Sequence, residues 1–452
     1  MHLAILGAGP AGLGAAWWAA QQGHRVTVIE RAERVGGATA SFSVGGMPVD
    51  LGSHRLHPST DPAILAALRG LLGPDLQLRQ RHGRIRLADR WLDFPLRSTD
   101  LLHQLPPAFA LRATCDAITA WTRRPRHDSF AEVVRAGLGP TMLTEFYGPY
   151  ARKIWGLPPQ ELSGEQARRR IGTNSASSLL ARLARTARTG GSGFYYPRRG
   201  FGEISQQLAA AATAAGAEIR LGQPVEQLSF DSESGVTVRA GETFRADRVW
   251  STVPLSTLAQ LAQAPEGVLA AATQLRFRAM VVVYVVLDLP RYSEFDAHYL
   301  PGPQTPLTRV SEPKNYRDNP DDPADRTVLC AELPCQVDDQ YWAMPPAELG
   351  ALVNDGLIAS GLPAVQPIEV AVRRLSHAYP VLTGPTMAAF DVLDAWATGL
   401  QPQLLTFGRQ GLFAHDNTHH ALAMARAAVD SLDAPISWSV ARESFARHVV
   451  ED

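Results

Sequence analysis

The first 37 residues constrain the fold more than any other stretch of the chain. Leu3-Ala4-Ile5-Leu6 is a short apolar run, and Gly7-Ala8-Gly9-Pro10-Ala11-Gly12 follows directly. An alanine-rich segment runs to Gln22. After a Gly23-His24 turn, a second apolar run, Val26-Thr27-Val28-Ile29, ends on Glu30. Strand, glycine-rich turn, helix, strand and acid in that order predict a dinucleotide-binding βαβ unit. Gly7 permits the tight turn, Gly9 lets the main chain approach a pyrophosphate, and Gly12 lets helix and strand pack closely. The helix start at Pro10 and Ala11 offers unsatisfied N–H groups and a positive dipole end to phosphate. Glu30, 18 residues past Gly12, is placed for a ribose hydroxyl pair, with Arg31 beside it. Gly36-Gly37 follows six residues on. A lone glycine triplet is a weak signal; the ordered context makes an ordinary glycine turn the minor alternative.

At 452 residues the chain can bury a large core, and its length suggests two or three domains. A net charge of −1 removes any general electrostatic case for nucleic acid. Cys115, Cys330 and Cys335 are too few and too scattered for a disulfide framework or a zinc site, which fits a reducing cytoplasm. The N-terminus reads as a strand followed by glycines rather than a signal peptide. The longest apolar run, Ala279 to Leu287, is too short to span a bilayer. Only two lysines, Lys153 and Lys314, stand against 41 arginines. A GC-rich genome explains the bias. A lysine retained against it points to a position that wants an ammonium rather than a guanidinium.

Beyond the opening unit, Phe42 to Asp50 around Gly45-Gly46 predicts a hairpin, and Gly52-Ser53-His54 after it can bring main-chain N–H groups to a ring system. His54 and His57 lack a carboxylate or cysteine cluster, so packing or substrate contact is preferred to metal. Asp61 to Leu72 reads as a helix and Gly83 to Phe94 as a hairpin. Asp100 to Thr189 reads as mostly helical, broken at proline pairs. Within it, aromatics from Phe146 to Trp155 surround Lys153, either as a buried helix end or as a cavity wall. Ser175 to Arg188 is basic and amphipathic; packing on the body is commoner for such a helix than lying on a membrane.

Glu203 to Ala215 predicts a helix, and Arg248 to Val253 a strand returning to the nucleotide sheet. Phe277–Leu289, Val328–Leu333 and Ile368–Leu375 predict a largely antiparallel sheet, with polar residues dense from Thr308 to Arg317. Leu404 to Phe407 reads as a strand, Gly408-Arg409-Gln410-Gly411 as a turn, and Leu412 to Ala421 as a polar loop entering a helix. That helix start again offers N–H groups to an electron-rich group. His415, Asp416, His419 and His420 cluster there. Capping and cofactor contact explain them more simply than metal, and no metal is expected.

The expected fold class is α/β: a Rossmann-like nucleotide domain (residues 1–75, 190–255 and 395–452) interleaved with a mainly helical insertion (76–189) and a largely antiparallel substrate-binding sheet domain (256–394).

The chain resembles the flavin amine oxidase superfamily, which includes protoporphyrinogen oxidases, phytoene desaturase-like enzymes and UDP-galactopyranose mutases. Gly7 to Gly12, Glu30 and Gly36-Gly37 resemble its FAD fingerprint. Pro149 to Gly156, Tyr196 to Gly202, Ser251 to Pro254 and Gly408 to Gly411 are similar to its internal motifs. Within it the mutase and protoporphyrinogen oxidase-like branch is nearest. Arg199 matches a mutase arginine, Arg309 sits where mutases carry a diphosphate-binding arginine, and Asn417 matches a closing-loop asparagine. The resemblance implies FAD, with ribose at Glu30, pyrophosphate at Gly9 to Gly12 and adenine near Val225. It places the flavin ring near Gly52, Ser53 and His54 and near Gly408, Arg409, Asn417, His419 and His420. His415 stands where mutases have a tyrosine, and no pair of diphosphate-binding tyrosines is evident.

The expected function is an FAD-dependent oxidoreductase that dehydrogenates a small or lipophilic substrate by hydride transfer to flavin N5. A redox-neutral sugar mutase using reduced FAD is the alternative, and a non-enzymatic flavin-binding protein a distant third. His54, Lys153, Arg309, Lys314 and His415 are the catalytic candidates. Arg199 and Arg309 would bind an anionic small-molecule substrate.

Overall fold

A computed structural model describes residues 1–95, 104–171, 193–231, 233, 235–432, 435–445 and 448–450. The amphipathic stretch 175–188 lies outside the described residues.

Five parallel strands form the nucleotide sheet, in the order Leu404–Thr406, Arg248–Ser251, His2–Leu6, Arg25–Ile29 and Glu218–Arg220. Three separated stretches of chain therefore meet in one sheet. Ile5 lies between Trp250 and Val28, and Val249 lies beside Leu404. The strands are apolar on both sides because both faces are covered. Leu3, Ile5 and Val28 pack with the helices Pro10–Gln21, Glu203–Ala214 and Thr418–Asp430. Ala4, Leu6, Ile29 and Val249 pack with Leu255–Leu261, Glu266–Ala272 and Gly384–Gly399. The alanines of the first helix follow from this crowding. At Gly14 a Cβ would stand 3.1 Å from Leu422, so the helix Thr418–Asp430 lies directly on the first.

The second sheet has seven strands in the order Glu369–Pro380, Phe277–Leu287, Thr327–Cys335, Arg309–Ser311, Ala297–Tyr299, Gly83–Leu87 and Arg90–Phe94. All pairs are antiparallel except Ala297–Tyr299 with Gly83–Leu87. Along its central strand, Ala279, Val281, Val283 and Val285 turn to the helix Pro346–Ala359. Met280, Val282, Tyr284 and Val286 turn to the hairpin Ser41–Val44 and Met47–Asp50. Tyr284 donates to the Asp50 carbonyl at 2.5 Å. The Asp50 carboxylate accepts from Tyr196 Oη (2.5 Å) and Phe201 N (2.9 Å). The loop that follows Asp50 is thereby fixed between the two sheets.

Three placements differ from the sequence expectation. The hairpin expected at Gly83 to Phe94 forms, but residues 76–94, assigned to the mainly helical insertion, belong to sheets. Leu76–Gln80 pairs with Gly193–Pro197, and the 83–94 hairpin forms an edge of the seven-stranded sheet because Ile85, Leu87 and Leu92 pack with Ala297 and Tyr299. Helices on both sides of the expected 256–394 boundaries pack under the nucleotide sheet. The strand expected to end at Leu375 runs on to Pro380, because Tyr379 and Pro380 pair with Arg278 and Phe277 after a register shift. Residues 104–171 are helical as expected, around Phe130, Val134, Ile154 and Trp155. No described helix is long and apolar enough to cross a membrane.

Candidate functional site

Glycines from distant parts of the chain converge at the start of the first helix. Gly7 adopts φ +101°, and a Cβ there would stand 2.5 Å from Thr252 Oγ1. At Gly12 a Cβ would meet the Gly7 carbonyl oxygen at 2.0 Å, so any side chain would force the turn to shift. Gly36 N donates to Ala8 O at 2.8 Å, Gly37 lies against Gly9, and a Cβ on Gly408 would stand 3.0 Å from that of Ala11. Gly9 is the exception: a Cβ there meets nothing within 4 Å. Gly9 caps the helix with no side chain to occupy the first-turn N–H groups. Glu30 accepts from Ala8 N and Ala32 N, both at 2.9 Å, leaving further lone pairs on each carboxylate oxygen. This open, donor-lined cradle fits a nucleotide pyrophosphate, with Glu30 beside it. Val225 is half-buried ahead of strand Gln227–Asp231, and Arg31 is exposed.

The loop after Asp50 carries the second half of the site. Gly52 takes φ +103°, which turns the chain against Glu332. Ser53 N donates to Glu332 Oε1 at 2.8 Å. Arg309, directly opposite Glu332 in the sheet, donates to the same oxygen at 2.6 Å and to Ser53 O at 3.3 Å. Ser53 Oγ is hydrogen-bonded to Tyr316 Oη. His54 donates through Nε2 to Leu51 O at 3.1 Å and stacks on Phe201. Burial lowers its pKa, so it is a neutral imidazole with its other nitrogen unprotonated.

Around Arg309 stand two buried tyrosines, Tyr299 and Tyr316, and the half-buried Tyr379. The Arg309 guanidinium carbon lies 5.7 Å from the Tyr299 ring centroid. Burial, reinforced by Glu332, pushes the Tyr379 hydroxyl up to about 12. The Tyr379 ring lies 4.8 Å from that of His415 and 5.4 Å from the Arg409 guanidinium carbon. Arg409 donates to the carbonyls of Asp416 (2.9 Å) and Ala378. His415 is held neutral by burial and then by Arg409. Arg55 extends this wall, paired with Asp296 at 3.0 Å and lying over the Tyr316 ring. The result is a buried lane of arginine, tyrosine and neutral histidine beside the Gly52–His54 loop.

Of the residues singled out in the sequence, His54, Arg309, Arg409 and His415 meet in this lane. Lys153 and Lys314 do not. Lys153 Nζ donates to the carbonyls of Leu300 (2.6 Å), Gly302 and Leu307 (3.0 Å). Burial pulls its pKa down to about 7, yet its three donors all face carbonyl oxygens. Lys314 Nζ donates to the carbonyls of Pro290 (2.9 Å), Pro323 (2.5 Å) and Arg326 (2.9 Å). Both lysines hold loops, which corrects the catalytic expectation. Arg199 is corrected too: its side chain is 60% exposed and pairs with Glu203 at 2.7 Å, one helical turn on, instead of facing the lane. Asn417 N donates to His420 Nδ1 at 3.3 Å, so His420 caps the helix from the side. The tyrosines, Glu332 and Arg55 had escaped the sequence reading. They lie on separate strands and loops, and only the polar density of 308–317 signalled that wall.

Residues 10–430 match the family model described as flavin containing amine oxidoreductase. The chain belongs to that family. Its flavin oxidoreductase character follows. A Mycobacterium tuberculosis protein named as a flavin-containing monoamine oxidase, AofH, is 38% identical over 84 residues, 19% of this chain and 18% of that protein. The chain thus matches under a fifth of the length of that curated relative. A structure of reduced UDP-galactopyranose mutase superposes with a TM-score of 0.82 at 20% identity, covering 100% of both chains. Putrescine oxidase bound to putrescine gives a TM-score of 0.66 at 18% identity, covering 96% of this chain and 99% of that one. At these identities the likeness to solved structures shows the fold.

Proposed function

We propose that this flavin oxidoreductase binds FAD and dehydrogenates a small or lipophilic organic substrate bearing an anionic group. The observation that carries this reading is the Ser53–Glu332–Arg309 bracket, which fixes the Gly52–His54 loop against the tyrosine-lined arginine wall. The first-turn N–H groups at Gly9 to Gly12 would hold the pyrophosphate and Glu30 the ribose. The helix start at Thr418 would face the electron-rich edge of the ring. When bound, FAD supplies a two-electron acceptor at N5 for a hydride from a substrate carbon. The chain's own residues do the rest. Arg309 and Arg409 attract the anionic group, and Tyr299, Tyr316 and Tyr379 exclude water. His54 Nδ1 can take the proton released as the substrate is oxidised.

Anaerobic mixing of the FAD-loaded chain with candidate substrates tests this. Loss of the flavin's visible absorbance without added reductant, and its return with oxygen or another acceptor, is the expected result. A chain that takes up no FAD on reconstitution overturns the reading.

One observation favours a second reading, a redox-neutral mutase acting on an anionic sugar derivative. The fold covers the whole of reduced UDP-galactopyranose mutase, and Arg309 among tyrosines suits a phosphorylated sugar. Turnover that begins only after dithionite reduction, with no net consumption of reductant, would select this reading over the first.

A further inference from the structure

The histidine-rich start of the helix Thr418–Asp430 brings together side chains to which the proposed function gives no role. Asp416 precedes the helix Thr418–Asp430 and His420 lies one turn on, with Asp416 Oδ1 3.9 Å from His420 Nδ1. The C-terminal tail crosses this point. Val450 N donates to Arg169 O at 2.8 Å, and the His448 ring stacks on that of His420 with centroids 4.2 Å apart. One ligand atom each of Asp416, His420 and His448 lies within 4.8 Å of the others.

Two features separate this group from a packed polar corner. The Asp416 side chain is 1% exposed, and neither of its carboxylate oxygens has a hydrogen-bond partner among the described residues. A buried carboxylate in that condition is costly unless a cation or donor meets it. His448 Nδ1 is likewise buried without a hydrogen-bond partner. Arg169 and Arg409 face Asp416 at longer range. Arg169 is paired with Glu165, and Arg409 donates to two carbonyls.

We propose that Asp416, His420 and His448 bind one divalent transition-metal ion of the zinc class. Two imidazoles and one carboxylate suit zinc or cobalt and disfavour magnesium and calcium, which want oxygen ligands throughout. Three protein ligands leave the fourth position to water. Tetrahedral coordination at the usual zinc–nitrogen length needs ligand atoms about 3.4 Å apart, so the three groups close by about an ångström on binding. Coordination through His420 Nδ1 replaces its long bond from Asn417 N. The ion would clip the C-terminal tail to the helix start without taking part in the flavin chemistry. The notable pair is Asp416 with His420, at i and i+4; His448, the third ligand, comes from 28 residues further along the sequence.

Metal-stripped full-length protein titrated with Co²⁺, and separately with Zn²⁺, tests the proposal. The expected result is one ion per chain, tetrahedral visible bands for cobalt, and displacement of cobalt by zinc. His448→Gln keeps a polar side chain of similar bulk, and should weaken binding at least tenfold while FAD content is unchanged. Asp416→Asn should weaken it similarly. Substoichiometric binding without tetrahedral bands overturns the proposal. Equal affinity in His448→Gln, with circular dichroism confirming that both proteins are folded, also overturns it.

Discussion

Lys153 and Lys314 are the chain's two lysines, and each directs its ammonium at three main-chain carbonyls. A tetrahedral ammonium meets three converging acceptors, whereas a planar guanidinium cannot. Arginine is therefore a poor substitute at both positions, in a chain that otherwise uses it everywhere. Lys153→Arg and Lys314→Arg are each expected to cost about 2–4 kcal/mol, close to the cost of Lys153→Met and Lys314→Met, because carbonyls are left unsatisfied. Urea unfolding of the four variants checks this; an Arg variant as stable as the parent refutes the geometric argument. Histidine burial sets a second residue-scale effect. His54, His298 and His415 all have folded pKa values below the usual 6.5, chiefly through burial, with His298 at about 3. Below pH 6.5 the unfolded chain protonates these rings and the folded chain does not, so stability holds above that pH and falls beneath it. For His298 the window runs from 6.5 to about 3, at about 1.4 kcal/mol per pH unit. Unfolding free energies between pH 7.5 and 5 should fall with acid, and His298→Gln should flatten the slope by up to one proton.

At the scale of elements, the nucleotide cradle makes opposite demands on two glycines of one turn. Gly12 has no room for a methyl, because the Gly7 carbonyl lies 2.0 Å from where it would stand. Gly9 has room in the protein, and its φ of −78° suits alanine. Gly12→Ala is thus expected to cost about 1–3 kcal/mol of fold stability and to lose FAD. Gly9→Ala should leave the apoprotein within about 1 kcal/mol of the parent and still lose FAD, since the methyl enters the space the pyrophosphate needs. Flavin absorbance per chain and apoprotein melting separate the two. This unit was readable from the sequence because every part of it is local: apolar runs, glycines and Glu30 lie within 37 residues. The arginine–tyrosine wall was not. Tyr299, Tyr316, Tyr379 and Glu332 become neighbours only through strand pairing and the register shift near Arg278. Arg199 went the other way: it sits in a motif that looks specific, but Glu203 one turn away claims its charge.

Across the whole molecule, the nucleotide unit and the seven-stranded sheet meet at several polar joints, and Arg309–Glu332 touches both the Gly52–His54 loop and the lane. The pair is buried, with side chains 15% and 6% exposed. Removing one partner strands the other's charge, at about 3–5 kcal/mol, whereas replacing both can be nearly neutral. Arg309→Met and Glu332→Gln are each expected to destabilise the chain, and the double variant to recover most of the loss. Substrate binding should not follow stability. If Arg309 holds an anionic group, Arg309→Met and the double variant both raise KM by about a hundredfold, the loss of one charge-assisted contact of roughly 2.7 kcal/mol. Glu332→Gln alone keeps the guanidinium and should raise KM far less. Bound at a hundred times its Kd, FAD adds about 2.7 kcal/mol to a variant that keeps the parent affinity, and a smaller increment marks a variant whose loosened Gly52–His54 loop binds it less well. Melting with and without FAD, alongside steady-state kinetics on the four proteins, reads the three quantities separately. A double variant that regains both stability and KM would mean that Arg309 only joins the two sheets, and the anion site would have to lie elsewhere in the lane, at Arg409.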